Sequence, residues 1–172
     1  MAAGTRNGSD VPRRGIRVLT VISGGQTGVD RAALDVALEL GLPCTGWCPK
    51  GRRAEDGPLP ARYPLRETPS AAYPQRTSWN VRDADGTLIL HAGGLDRGTT
   101  LTERIARRRG RPVLVLDTRS AEASAIRNWI DAHAVARLNV AGPRESRSPG
   151  IYETACRLLR AAWSDDYRER SQ

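Results

Sequence analysis

A short apolar run, then a turn, then a stretch of helical periodicity: this pattern recurs along nearly the whole chain, and it leaves few folds open. Residues 16–22, IRVLTVI, form a β-branched run ending in Ser-Gly-Gly, the signature of a buried strand. Residues 27–40 then place Val29, Ala33, Val36, Ala37 and Leu40 at helical spacing, and Gly41 closes the segment. Thr27 and Asp30 have the spacing of a capping box. Residues 43–47 read as a second short strand. Residues 48–69, rich in Pro, Gly and charge, read as a long irregular segment. A helix is predicted over 74–82, with Pro74 in its first turn. Strands at 87–91, 112–116 and 137–140 alternate with helices at 100–109 and 121–133, and Thr100 and Glu103 are spaced to cap the first of these helices. On the second, Ile126, Trp129, Ile130 and His133 share a face. Ser148 and Pro149 open a last helix along which Ile151, Ala155, Leu158, Leu159 and Ala162 align. Such alternation predicts one α/β domain, a three-layer α/β/α sandwich around a mainly parallel sheet of about five or more strands.

In sheets of this kind ligands bind beyond the carboxyl ends of the strands. Three glycine clusters follow strands and precede helices, so they share that edge. They are Gly24, Gly25, Gln26, Thr27 and Gly28; then Gly93, Gly94, Arg97, Gly98, Thr99 and Thr100; then Gly142 with Arg144. A helix start exposes unpaired N–H groups and partial positive charge, and glycine lets an anion approach them closely. One glycine turn is an ordinary tight turn; three on one edge point to an anionic, phosphate-bearing ligand. Neither G-x-G-x-x-G nor a Walker A motif is present, which argues against a standard dinucleotide or P-loop site. Lys50, Arg52 and Arg53 leave the end of the second strand as an adjacent cationic group, expected to clamp the ligand.

Charge agrees with such a ligand. The chain carries 27 Lys and Arg against 19 Asp and Glu, a net charge of +8, and Lys50 is its only lysine. Phe is absent, so Trp47, Trp79, Trp129 and Trp163 are the largest pieces available to the core. Aromatic residues make up 5%, too few for a platform of stacked nucleic-acid bases. Cys44, Cys48 and Cys156 give an odd count, without a second Cys/His pair near Cys44 and Cys48, so neither a disulfide framework nor a metal site is expected. No apolar run reaches the roughly 18 residues of a membrane span. Residues 1–15 are polar and unlike a signal peptide, so they are read as a disordered lead, residues 16–163 as the ligand-binding domain and 164–172 as a flexible tail, in a cytoplasmic protein.

Three strings, ISGGQTGVDRAALDVALELG, GWCPKGRRAEDGPLPARYPLRETPSAAYPQRTSWNVRDADGTLIL and LNVAGPRESRSPGIY, closely resemble the molybdenum carrier protein family over residues 16–163. That resemblance implies a Rossmann-like fold of the SLOG type and a homo-oligomer, a tetramer. It also implies binding of molybdenum cofactor, a pterin dithiolene with a terminal phosphate, which fits the anion-binding reading of the glycine-turn and cationic residues named above. Two further likenesses remain open. SGGQTGVDRAALDVAL looks like the turn and helix of DprA-type DNA-processing proteins, which implies a single-stranded nucleic-acid binder. GGLDRGTTLTE is similar to the P-G-G-x-G-T-x-x-E motif of LOG-type nucleotide phosphoribohydrolases, which implies a nucleotide N-glycosidase. Here Ala92 replaces the proline, the stretch 94–98 is longer than the motif, and Glu103 falls one residue late. Asp30, Asp56, Asp96, Glu103 and Asp117 are the acids expected near the edge, yet no Ser/His/Asp or Cys/His set emerges from spacing. A carrier without catalytic residues is the first expectation.

Overall fold

A computed structural model describes residues 18–168. The expected lead, 1–15, and residues 169–172 of the expected tail lie outside the described residues. In chain order the elements are β1 (Thr20–Ile22), α1 (Val29–Glu39), β2 (Cys44–Thr45), β3 (Trp47–Cys48), β4 (Arg53–Ala54), β5 (Gly57–Pro58), β6 (Arg66–Glu67), α2 (Tyr73–Asp83), β7 (Gly86–His91), α3 (Arg97–Arg108), β8 (Val113–Asp117), α4 (Ala123–Ala132), β9 (Arg137–Ala141) and α5 (Ile151–Arg168). Five strands form one parallel sheet in the order β2-β1-β9-β7-β8. The α/β expectation and its parallel sheet hold.

The two faces of the sheet differ in chemistry. In a strand, alternate side chains point to opposite faces. Leu88 and Leu90 of β7 and Leu138 and Val140 of β9 join Val29, Ala33, Val36, Ile126, Ile151, Ala155, Leu159 and Trp163 in one apolar cluster. That face is covered by α1, α4 and α5. Each fully buried aliphatic side chain there contributes about 1.5–3 kcal/mol. The alternate positions Thr87 and Asn139 are buried polar groups, joined by a weak 3.4 Å hydrogen bond. They face α2 and α3, which bring Asn80, Thr99 and Thr102, also buried. Ile22 and Ile89 are buried at the same alternate positions, so this face is mixed, and its buried polar groups ask what they serve.

Several local expectations change. The 43–47 strand divides at Gly46, whose φ is 152°. A Cβ there would lie 2.0 Å from the Ser23 carbonyl oxygen, so two backbones are in contact and the chain turns out of the main sheet. Residues 48–69 are ordered, not irregular: β3 pairs with β6 and β4 with β5 around a small core of Leu34, Cys48, Leu59, Tyr63 and Leu65. Two-residue ladders are too short to produce a readable alternation. Neither proposed capping box forms. Gly28 caps α1 without a side-chain bond, while α3 begins at Arg97 with Asp96 as its cap. Glu103 instead pairs with Arg107 one turn on, at 2.8 Å. The last helix runs to Arg168, into the segment expected to be a tail. Of the four tryptophans only Trp163 is fully buried. Trp47 and Trp79 meet edge to face at 4.6 Å, half-buried, and His133 is exposed at the end of α4.

Candidate functional site

The strand order locates the site. Counted with β9 first, β1, β2, β7 and β8 follow as second to fifth, and the sheet reads 3-2-1-4-5, the order of a doubly wound fold. Its switch point, where connections leave in opposite directions, falls between β9 and β7. A cavity of about 270 Å³ opens there. Its walls come from Gly24 and Gln26 after β1, from Asp96, Arg97, Gly98, Thr99, Leu101 and Thr102 after β7, and from Asn139 to Gly142 and Arg144 at the end of β9. Helix α2 closes the remaining side with Tyr73, Pro74, Arg76, Thr77 and Asn80.

Three arginines and two aspartates line this space. Arg76 and Asp30 form an ion pair at 2.7 Å, with side chains 14% and 4% exposed. The Arg76 guanidinium lies directly over Gly24; a Cβ on that residue would be 1.5 Å from Nη1. Gly24 is therefore required for close approach, its φ being ordinary. Burial pushes the Asp30 carboxyl above its usual range, and the Arg76 charge and hydrogen bond only partly offset this. Arg97 is exposed at the mouth. Arg144 is 38% exposed and loosely paired with Glu55 at 3.7 Å. The Arg76 and Arg144 guanidinium groups both approach the Tyr73 ring, 5.7 and 5.6 Å from its centroid.

The glycine turns converge as expected, but the helix starts already have resident acceptors. The Asp96 carboxylate accepts from the Thr99 N–H at 2.8 Å, which caps α3 and leaves Arg97 and Gly98 in the first turn without an intrahelical acceptor. Glu145 takes the Gly150 and Tyr152 N–H groups at the start of α5. At α1 the Val29 N–H reaches the Pro143 carbonyl and the Gln26 N–H reaches Asp30. Positive charge around the cavity thus comes mainly from arginine side chains rather than from amide nests.

Of the residues expected to bind, Gly24, Gln26, Arg97, Gly98, Thr99, Gly142 and Arg144 line the cavity. The others do not, and most have structural tasks. Gly25, at φ 77°, packs against Leu59 and Leu65. Gly28 presses on the 143–145 backbone, with 2.3 Å between its would-be Cβ and the Pro143 oxygen. The Thr27 hydroxyl donates to Glu55 and accepts from the Glu145 N–H. Gly93 and Gly94 turn beneath the His91 imidazole, whose Nδ1 accepts the Gly94 N–H at 3.0 Å. Thr100 follows within α3 and does not reach the cavity.

The cationic segment 50–53 stands apart from the cavity too. Arg52 gives its guanidinium to the carbonyls of Leu59, Pro60, Tyr63 and Leu65, at 2.9–3.1 Å. Lys50 and Arg53 are exposed outside the lining. Just after it, the acids Glu55 and Asp56 reach the turn and loop beside the cavity without lining it. Asp56 holds Arg31 through two bonds of 2.9 and 3.0 Å, and Arg31 Nε holds the Gly25 carbonyl. For Glu55, burial acts upward, but hydrogen bonds from Ser146 and Thr27 prevail and hold its carboxyl below the ordinary range. These contacts brace the 23–28 turn against the 142–146 loop. Burial pushes the Cys44 and Cys48 thiols up, away from the thiolate that metal binding needs.

The sequence reading predicted helix α2 but missed its place in the cavity wall. Arg76, Thr77 and Asn80 share one face, a spacing visible in the sequence, but apolar periodicity does not register a polar face that points inward.

The chain was compared with known proteins. The model of the circularly permutated YpsA SLOG family matches residues 21–163. Among solved structures, one titled "Putative molybdenum carrier protein", from Syntrophus aciditrophicus SB, is 43% identical, superposes with a TM-score of 0.82, and is matched over 85% of this chain and 95% of its own. The glycosyltransferase SnogD from Streptomyces nogalater, at 18% identity and a TM-score of 0.27 over 96% of this chain and 43% of its own, supports no inference. Among curated proteins there is no match. The central strand of the sheet, β9, is the last in sequence, and the chain belongs to the circularly permutated YpsA SLOG family.

Proposed function

We propose that this chain binds a phosphate-bearing small molecule in the switch-point cavity, and that it acts as a carrier or storage protein for molybdenum cofactor. The observation that carries the reading is the meeting of Arg76, Arg97 and Arg144, from three separate segments, on one concave surface beyond the sheet. Arg97 and Arg144, at the mouth, suit a terminal phosphate, and the Tyr73 face suits a flat ring. The 43% identical protein from Syntrophus aciditrophicus is named a molybdenum carrier, which supports a molybdenum-bearing ligand; the pterin comes from the family resemblance of the sequence. The cavity is near the lower end of ordinary ligand pockets, about 300–1,000 Å³, so part of the cofactor would extend past the mouth. Its lining offers neither thiol nor imidazole, so molybdenum would keep the dithiolene of the pterin as its sulfur ligand. The reading includes a cytoplasmic location and a homo-oligomer, a tetramer.

Anaerobic calorimetry with molybdenum cofactor, alongside inorganic phosphate, tests this. Binding should slow oxidation of the cofactor, and joint replacement of Arg97 and Arg144 by alanine should weaken affinity about 10- to 100-fold, the loss of one or two charged hydrogen bonds. Absence of both binding and protection at millimolar ligand would refute the carrier reading.

A further inference from the structure

Strand β8 lies at an edge of the main sheet, yet it has the composition of an interior strand. Its residues read VLVLD, and all of them are half-buried, whereas Gly86 to Leu90 of the neighbouring β7 are buried throughout. The opposite edge, β2, is only two residues long, and the chain turns away from it at Gly46. A long apolar edge with no charge before its last residue invites a further strand.

The backbone bonds fix the phase of that edge. The Thr87 N–H donates to the Pro112 carbonyl at 3.0 Å, and the Thr118 N–H to the His91 carbonyl at 2.8 Å. With Thr87 opposite Val113 in the parallel ladder, Leu114 and Leu116 bond to β7, and the N–H and C=O groups of Val113 and Val115 point outward. The two ends are unlike. At Asp117 the carbonyl is taken by the Ser120 and Ala121 N–H groups, which leaves its N–H for a new strand. At Arg111 the N–H is taken by the Ala106 carbonyl at 3.1 Å, which leaves its carbonyl.

Such an edge is complementary to itself. Let a second copy lie antiparallel, related by a two-fold axis through Leu114. Val113 and the partner's Val115 then exchange both bonds, and the Asp117 N–H meets the partner's Arg111 carbonyl. Moving the axis to Val115 would instead aim the Val113 N–H at the occupied carbonyl of the partner's Asp117. Side chains match in the same register. Leu114 meets the partner's Leu114, Pro112 meets the partner's Leu116, and exposed Arg111 meets the partner's Asp117. Asp117 already holds Arg119, and a carboxylate has lone pairs for a second guanidinium. We propose that β8 pairs with β8 of a second copy of this chain about a two-fold axis at Leu114, joining two sheets into one. The proposal rests on the homo-oligomer of the reading above and names the face that forms it.

Sedimentation of the full chain should show an even-numbered oligomer. Val115→Pro removes an outward N–H and no bond to β7, a place where an edge strand tolerates proline. It should raise the dissociation constant of the dimer at least about tenfold, as should Val115→Lys, with thermal melts showing that both fold. Leu114→Cys should give a disulfide-linked dimer on mild oxidation, because a residue facing its own copy across a non-hydrogen-bonded pair has its Cα atoms about 4.5 Å apart. The unaltered chain and Val115→Cys should not link. If a Val115 variant fails to fold, the crosslink decides. A chain that stays monomeric would overturn both this face and the oligomer. An oligomer unmoved by either Val115 variant, with no link through Leu114→Cys, would overturn the face and leave the oligomer standing. Linkage through Val115→Cys in place of Leu114→Cys would overturn the register.

Discussion

Replacing Arg76 with methionine tests whether the inner wall of the cavity is held by charge. Arg76–Asp30 is the most enclosed ion pair among the described residues, and the two side chains come from α2 and α1, on opposite sides of the site. Removing one member of a buried pair costs about 3–5 kcal/mol, because the other is left uncompensated. With Arg76 14% exposed, the lower end applies. About 3 kcal/mol corresponds to roughly 6–12 °C in melting temperature for a chain of this size.

The loss should also depend on pH, with a defined sign. The Asp30 carboxyl lies above the ordinary aspartate value of 3.8 in the native protein, burial outweighing Arg76, and losing Arg76 raises it further. Over that window the native state holds a proton that the unfolded chain has released. Stability is therefore fully present below about pH 3.8 and falls as pH rises through the folded value. The deficit of Arg76→Met should be largest near pH 8 and shrink toward pH 5. Adding Asp30→Asn should restore most of it, since replacing both partners of a buried pair is often close to neutral. Urea unfolding of the four proteins of this cycle at both pH values measures the coupling, expected to exceed about 1.5 kcal/mol. A loss under about 1 kcal/mol, the same at both pH values and additive with Asp30→Asn, would refute the reasoning.

Arg52→Met should cost about 2–3 kcal/mol and speed proteolysis within 48–69, because it removes four bonds to carbonyls. Phosphate affinity should be unchanged, which separates a strap from a ligand clamp. Asp96→Ala should lower stability by about 1 kcal/mol through loss of the α3 cap. The same change should tighten phosphate binding a few-fold by removing a competing carboxylate from the mouth, read by calorimetry. Asp56 and Asp83 lie below their ordinary range, through hydrogen bonds first of all from Arg31 and Arg82. What they contribute is present above about pH 4 and is lost as pH falls, opposite to Asp30, so Asp56→Asn should flatten the acid limb of a circular-dichroism titration.

How much of this was legible in the sequence depended on the range of the interactions. Strands β1, β7 and β9 declare themselves by buried apolar residues and β8 by a half-buried apolar run, and α1 and α5 because their apolar stripes are regular. The edge carrying the glycine turns followed from chain order alone. What stayed hidden rests on pairs distant in sequence: Arg76 on Gly24, Glu55 on Ser146, Asp56 on Arg31. Arg52 illustrates the difficulty. A cation after a strand end looks like a phosphate ligand until the chain folds back and offers four carbonyls. Likewise Thr27 and Glu103 have the composition of caps, but longer-range partners, or a better-placed Asp96, take that role.

The permutation has a consequence for how the site comes into being. Without β9, the sheet consists of two separate parallel pairs, β2-β1 and β7-β8, because β1 and β7 touch only through β9. The bond from Ser23 Oγ to the Val140 carbonyl, 2.9 Å long, joins residues 117 apart and closes the β1 end of the site onto its floor. Gly142 is caught in the same closure: a Cβ there would lie 2.4 Å from Val29 Cγ2 and 2.5 Å from the Leu90 oxygen, so both halves pack directly on its backbone. In an unpermuted doubly wound chain the central strand and its loop come first, and later strands add to them. Here the central strand comes last. The cavity therefore cannot exist in a partly folded chain that lacks the final segment, and ligand binding reports on completion of the whole sheet. Contacts of such sequence separation are slow to form, so insertion of β9 is the step at which folding rate and site assembly should coincide.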